Sequence, residues 1–137
     1  MHATARKRFA VSKTRPFARF AHKAHIRDAD LWEAARLANE GRVDANLGGG
    51  VIKQRIARAG EGKSGGSRCV ILFRMGERAV FVHGFEKKDL GNIKIDELEA
   101  FRELARIVLG YSDAEIAKRT ADGALISVEP PQEDGNA

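Results

Sequence analysis

The side chains best suited to chemistry lie between Val51 and Lys88. There Lys53, Arg55, Arg58, Lys63, Arg68, Arg74, Lys87 and Lys88 are interleaved with β-branched and aromatic residues and with one histidine, His83. Fixed guanidinium and ammonium groups suit a polyanion, because they bind phosphates by charge and release the counterions held there. They also suit a reaction in which negative charge grows on a phosphate, since cations already in place stabilise that charge without reorganising. A histidine among them adds a side chain able to take or give a proton.

Bringing these groups together requires strands. Val51–Ala57, Arg68–Arg74 and Ala79–Phe85 read as three consecutive strands joined by Gly-rich turns. Alternation along the first puts Val51, Lys53, Arg55 and Ala57 on one face and Ile52, Gln54 and Ile56 on the other. Gly76-Glu77 is expected as a two-residue hairpin loop, because its first central residue needs a positive φ and Gly supplies it. That register sets Met75 opposite Arg78, Phe73 opposite Val80 and Val70 opposite His83. Arg68, Val70, Leu72 and Arg74 would then share a face with Ala79, Phe81, His83 and Phe85. The other face, with Cys69, Ile71, Phe73, Val80 and Val82, carries no charge and is expected to lie under helices carrying Phe17, Phe20 and Leu31.

The remaining elements are read in chain order. A first strand is expected from about Arg8 to Lys13, followed by a helix with Pro16 in its first turn and Phe17, Phe20, Ala21 and Ala24 on one face. A second helix runs from about Asp28 to Glu40, capped by Asp28 or Asp30, with Leu31, Ala34, Ala35 and Ala38 facing inward and Gly41 as its stop. Asp96 to Leu109 forms a third helix with Leu98, Phe101, Leu104, Ala105 and Val108 on one face. Ser112-Asp-Ala-Glu115 is a capping box opening a fourth helix that ends near Gly123. Leu125–Val128 is a possible edge strand, and the acidic segment from Glu129 onward is expected to be disordered. The order of elements, β-α-α-β-β-β-α, points to an α+β fold: one domain over residues 1–128, a small antiparallel sheet with helices packed on one face, and the other face open to a partner.

The chain of 137 residues is long enough to bury a core without disulfides, and its single cysteine, Cys69, reads as a small core residue. No apolar run approaches the roughly 20 residues of a membrane span, and the basic N-terminus lacks the apolar core of a signal peptide, so a cytoplasmic protein is expected. Charge is divided unevenly. Up to Lys88 there are 19 Lys and Arg against 8 Asp and Glu, a net of +11; the rest has 5 against 11, a net of −6. The basic part holds the sheet, and such asymmetry favours a nucleic-acid partner.

Other motifs lead elsewhere or nowhere. Gly60-Glu-Gly62-Lys63-Ser64 ends like a phosphate-binding P-loop, but Ala57 stands where the pattern requires its first glycine, and a strand follows instead of a helix. The segment is read as a flexible loop carrying Arg58 and Lys63 toward the basic face. Gly48–Gly50 allows tight turns before the first central strand. His22 and His25 have no third ligand beside them, and no metal or other cofactor is expected. Trp32 sits beside an apolar helical stripe as a core or partner-facing anchor.

Taken together, Leu47-Gly-Gly-Gly-Val-Ile-Lys-Gln-Arg55, Gly62-Lys-Ser-Gly-Gly-Ser-Arg68, Phe73-Arg-Met-Gly-Glu-Arg78, Val80-Phe-Val-His-Gly-Phe-Glu-Lys-Lys88 and Asn92-Ile93 resemble the RelE/HigB-like toxins of bacterial type II toxin–antitoxin systems. The resemblance spans roughly Thr14 to Leu109. It implies a toxin that cuts messenger RNA in the ribosomal A site without a metal, inhibits translation, and is neutralised by a cognate antitoxin, often of the helix-turn-helix type. Residue by residue, Lys53 and Arg55 match the basic pair of the family's first central strand, Arg68 the arginine after the Gly-Gly turn, and Lys87 and Lys88 basic positions after the last strand. Ser67 stands where relatives usually have an aromatic residue. No tyrosine or histidine follows the last strand as a general acid, and Tyr111 lies beyond the third helix.

Metal-free RNA cleavage needs the 2′-hydroxyl deprotonated, the pentacoordinate phosphate stabilised and the leaving 5′-oxygen protonated. The expected catalytic set is therefore Arg68, Lys53, Arg55 and His83, with Arg58, Lys63, Arg74, Lys87 and Lys88 binding RNA. Two other readings stand beside this one: a non-nuclease toxin of the ParE kind acting on a protein target such as gyrase, since fold alone does not decide activity, and a plain nucleic-acid-binding domain.

Overall fold

A computed structural model describes residues 8–57, 66–86 and 93–132. Its elements are β1 (Ala10–Thr14), α1 (Arg15–Lys23), α2 (Asp28–Asn39), β2 (Ala45–Gly48), β3 (Val51–Ile56), β4 (Ser67–Arg74), β5 (Arg78–Glu86), α3 (Ile95–Val108), α4 (Asp113–Ala121) and β6 (Leu125–Ser127). The strands form one sheet in the order β2-β3-β4-β5-β1-β6, antiparallel except where β1 runs parallel to β5. This is the expected α+β fold, with an added strand, β2, paired to β3. Of the acidic tail expected to be disordered, residues 133–137 lie outside the described residues.

Local chemistry sets the helix ends. Thr14 Oγ1 accepts the Phe17 N–H at 3.4 Å, with Pro16 in the first turn of α1. The cap of α2 is Arg27 and not an aspartate: Asp30, one turn in, accepts the Arg27 N–H at 2.9 Å, satisfying a free amide from inside the helix. Ser112 and Glu115 bond reciprocally at the start of α4, as a capping box should.

The β4–β5 hairpin departs from the expected register. Arg74 pairs with Arg78 and Phe73 with Ala79, so the loop is Met75-Gly76-Glu77, with Gly76 at φ +76° and the Glu77 N–H bonded to the Arg74 carbonyl. A three-residue loop shifts the pairing by one, and a bulge around Val82 shifts it back, so that Val70 still faces His83. Between turn and bulge the two faces of β5 are exchanged relative to expectation. Ala79 and Phe81 join Cys69, Ile71 and Phe73 beneath α1 and α2, where Phe81 meets Phe17 at 5.3 Å. Val80 and Val82 lie on the opposite face.

That opposite face is not open along its length. Val51, Val70, Leu72 and Val80 form a second apolar cluster with Ala105, Val108 and Leu109 of α3 and its end. The sheet thus carries α1 and α2 on one side and α3 on part of the other, a correction to helices on one side only. Leu104, expected to face inward on α3, is 37% exposed. Two guanidinium groups hold the end of α3: Arg78 Nη1 donates to the Val108 and Tyr111 carbonyls at 2.9 and 3.0 Å, and Arg74 Nη1 to Leu109 at 2.8 Å. Cations there satisfy carbonyls the helix leaves unpaired and oppose its negative end. The middle of α3 sits on the glycine triplet. Gly48, Gly49 and Gly50 all have positive φ, Arg102 donates to the Leu47 carbonyl, and a β-carbon at Gly50 would lie 2.7 Å from Leu109 Cδ1.

Candidate RNA-facing site

The strands place the expected catalytic residues on one face. Pairing aligns Lys53, Val70 and His83 in a row across β3, β4 and β5, and Arg55, Arg68 and Phe85 in the next row. Opposed side chains in neighbouring strands have β-carbons about 4.5–5.5 Å apart, so Arg55 and Arg68 are direct neighbours. Like charges placed opposite one another weaken a sheet unless an anion lies between or beside them. Lys53, Arg55 and Arg68 are half-buried, whereas His83 is exposed. Arg68 Nη1 donates to the Gly66 carbonyl at 3.3 Å, and the Arg55 backbone N–H to Asp44 Oδ2 at 2.5 Å.

Helix α3 adds to this face. The His83 ring lies 5.8 Å from Phe101 of α3 and 6.0 Å from Phe85, with interplanar angles of 38° and 31°. Phe101 was legible only as part of an apolar helical stripe; its place beside His83 comes from how α3 docks.

Arg74, expected to bind RNA, stands apart. It lies six residues along β4 from Arg68, about 20 Å at the usual strand rise, and its guanidinium is engaged with the Leu109 carbonyl and with Glu77 at 3.8 Å. Arg58, Lys63, Lys87 and Lys88 lie outside the described residues.

The other side of the sheet is built for structure. Gln54 is buried, donating to the Ala34 and Arg42 carbonyls at 3.1 and 2.9 Å and accepting the Asp44 N–H at 3.0 Å, which ties β3 to the end of α2. Burial pushes the Cys69 thiol well above the usual range, and its Sγ donates to the Gln54 carbonyl, so it is an inert core group as expected. Ser67 is fully buried, its Oγ donating to Glu86 Oε1 at 2.7 Å. A cleft of about 440 Å³ between α2 and the end of β3 is lined by Asp30, Glu33 and Asp44 as well as by Arg42 and Arg55. Its carboxylates make it a poor place for phosphate. His22 and His25 are both exposed, and among the described residues no group of three His, Cys, Asp or Glu is placed to hold a metal ion. No described helix is long and apolar enough to cross a membrane.

No curated protein matches the chain. A family model described as the RelE toxin of the RelE/RelB toxin–antitoxin system matches residues 9–128, which takes in every described strand and helix. With that match over an α+β fold, the chain belongs to the RelE toxin family, and as a toxin of such a system it has an antitoxin for a partner.

Proposed function

We propose that this toxin is a ribosome-dependent messenger-RNA endonuclease that works without a metal and inhibits translation. The observation that carries the reading is the cross-strand pairing of Arg55 with Arg68 on the face that also presents Lys53 and His83. An RNA phosphate between the two guanidinium groups would be held from both strands, and bidentate guanidinium–phosphate bonds favour that geometry.

The reaction is attack of a 2′-hydroxyl on the adjacent phosphorus, forming a 2′,3′-cyclic phosphate as the bond to the 5′-oxygen breaks. The proton of the 2′-hydroxyl leaves to a base, and the 5′-oxygen receives one from an acid. Arg55, Arg68 and Lys53 stabilise the extra charge on the pentacoordinate phosphate, usually the largest single contribution. His83 is the one imidazole of the set and is assigned proton transfer. The antitoxin is proposed to be of the helix-turn-helix type and to cover this face with an acidic segment, denying RNA its cations.

The test is Arg68→Ala with expression matched to wild type. Growth arrest and new 5′ ends in ribosome-bound messenger RNA should disappear while the fold persists, because a half-buried strand-end arginine contributes little stability. Lys63→Ala should instead weaken activity modestly, with recovery at lower salt, as expected of a phosphate contact. Full growth arrest by Arg68→Ala would remove this residue from the mechanism and count against the nuclease reading.

A further inference from the structure

We infer that His83, Phe85 and Phe101 form a ledge on which one unpaired RNA base stacks, so that α3 and not the sheet alone builds the RNA site. The inference rests on the nuclease reading above and deepens it, by stating which form of RNA the site takes and what holds the base.

Phe101 is half-buried against the apolar cluster on the α3 side, whereas His83 and Phe85 belong to neither cluster. His83 lies on β5 beyond the stretch paired with β1, which ends at Phe81, and its ring is exposed. Phe85 and Phe101 flank it at 6.0 and 5.8 Å, both half-buried. The angles of 31° and 38° bring the rings nearer to parallel than to edge-on, so together they offer a broad π surface.

The ledge adjoins the cations. Phe85 is the direct cross-strand neighbour of Arg68, and His83 shares a row with Lys53. A phosphate held at Arg55 and Arg68 lies one strand spacing, about 5 Å, from β5, a gap that a single ribose spans. The base of that nucleotide then falls on the rings. Ser67 offers no alternative platform, since it faces the α1 and α2 side, bonded to Glu86.

The ligand class follows from the geometry. Stacking on a side-chain platform needs a base whose face is free, and in an A-form duplex those faces are already stacked. The ledge therefore selects unpaired RNA, with little regard for base identity because every base has a π face.

The test uses the full chain and a short single-stranded RNA made uncleavable by 2′-methoxy groups, with 2-aminopurine as the reporting base. Wild-type protein should quench that base on binding. Phe85→Leu and Phe101→Leu, which keep apolar volume, should lose the quenching and bind about tenfold more weakly, the effect typical of one stacked base; Phe101→Tyr should restore both. Replacing the reporting nucleotide by an abasic one should weaken wild type by a similar factor and leave Phe101→Leu unaffected. A duplex of the same sequence should compete poorly.

Equal binding of the normal and abasic RNAs by wild-type protein would overturn the ledge, whether or not the leucine variants fold. So would leucine variants that bind and quench like wild type while messenger RNA is still cleaved, and that result would leave the nuclease reading standing. Base-dependent quenching by a wild-type protein that cuts no messenger RNA would uphold the ledge and sink the nuclease reading.

Discussion

Replacing Gly50 by alanine probes the seat of α3, the helix that brings Phe101 to the site. Gly50 has φ +85°, and a β-carbon there would lie 2.7 Å from Leu109 Cδ1 and 3.5 Å from Ala105 Cβ. The left-handed backbone costs a residue with a β-carbon about 1–2 kcal/mol. Forcing a methyl group into a filled contact adds about 1–3 kcal/mol, so the combined loss should be about 2–5 kcal/mol. Gly76→Ala is the control, because Gly76 has a similar φ of +76° but nothing within 4 Å of the added carbon. It should lose only the backbone part, about 1–2 kcal/mol. Urea unfolding, compared at equal m-values and in an Arg68→Ala background that avoids toxicity, measures both. Adding Leu109→Ala to Gly50→Ala clears the methyl contact, so the two changes should together cost about 1–3 kcal/mol less than their sum. If Gly50→Ala costs no more than Gly76→Ala and its effect simply adds to that of Leu109→Ala, then α3 does not sit on the glycine turn.

Three further outcomes are expected. Ile71 is fully buried beneath α1 and α2, so Ile71→Ala should cost about 2–5 kcal/mol in the same unfolding assay; an unchanged midpoint would mean that Ile71 does not face those helices. Cys69, buried and with its thiol pushed up by burial, should resist a thiol reagent at pH 8 in the native protein and react fully in denaturant, and rapid native labelling would contradict its placement. The Glu115 carboxyl is held below the ordinary range, first by the Ser112 backbone N–H and then by the Ser112 hydroxyl. Its contribution is therefore present above the ordinary carboxylate range and lost as pH falls through the lowered value. NMR shifts in the first turn of α4 should record that loss in wild type and not in Glu115→Gln, and identical acid profiles would refute it.

Much of the site was legible because its logic is local. Alternation along Val51–Ile56 puts Lys53 and Arg55 on one face whatever surrounds the strand, and the reading of Val70 opposite His83 survived into the structure. It survived by cancellation: a three-residue loop and a bulge shift the register in opposite directions. A count by twos assumes that no residue is inserted, so Phe81 was assigned to the wrong face. The aromatic contact of Phe81 with Phe17 is a tertiary fact.

The sequence by itself determined the α+β order, the place of Pro16 in the first turn of α1 and the cap at Ser112, the apolar faces of α1 and α2 and the cationic character of the sheet. Each depends on residues a few positions apart, so period and capping chemistry suffice. Only the tertiary structure decided where α3 lies. That choice engages Arg74 and Arg78 with helix-end carbonyls, sets Arg102 on the Leu47 carbonyl and lays Phe101 beside His83. These contacts join residues 18 to 55 positions apart in sequence, and each arginine looks the same in the sequence whether it will meet a carbonyl or a phosphate. Folding makes the distinction: a guanidinium beside an unpaired helix end is held by that end, as Arg74 and Arg78 are, whereas Arg55 and Arg68 are set opposite one another on neighbouring strands.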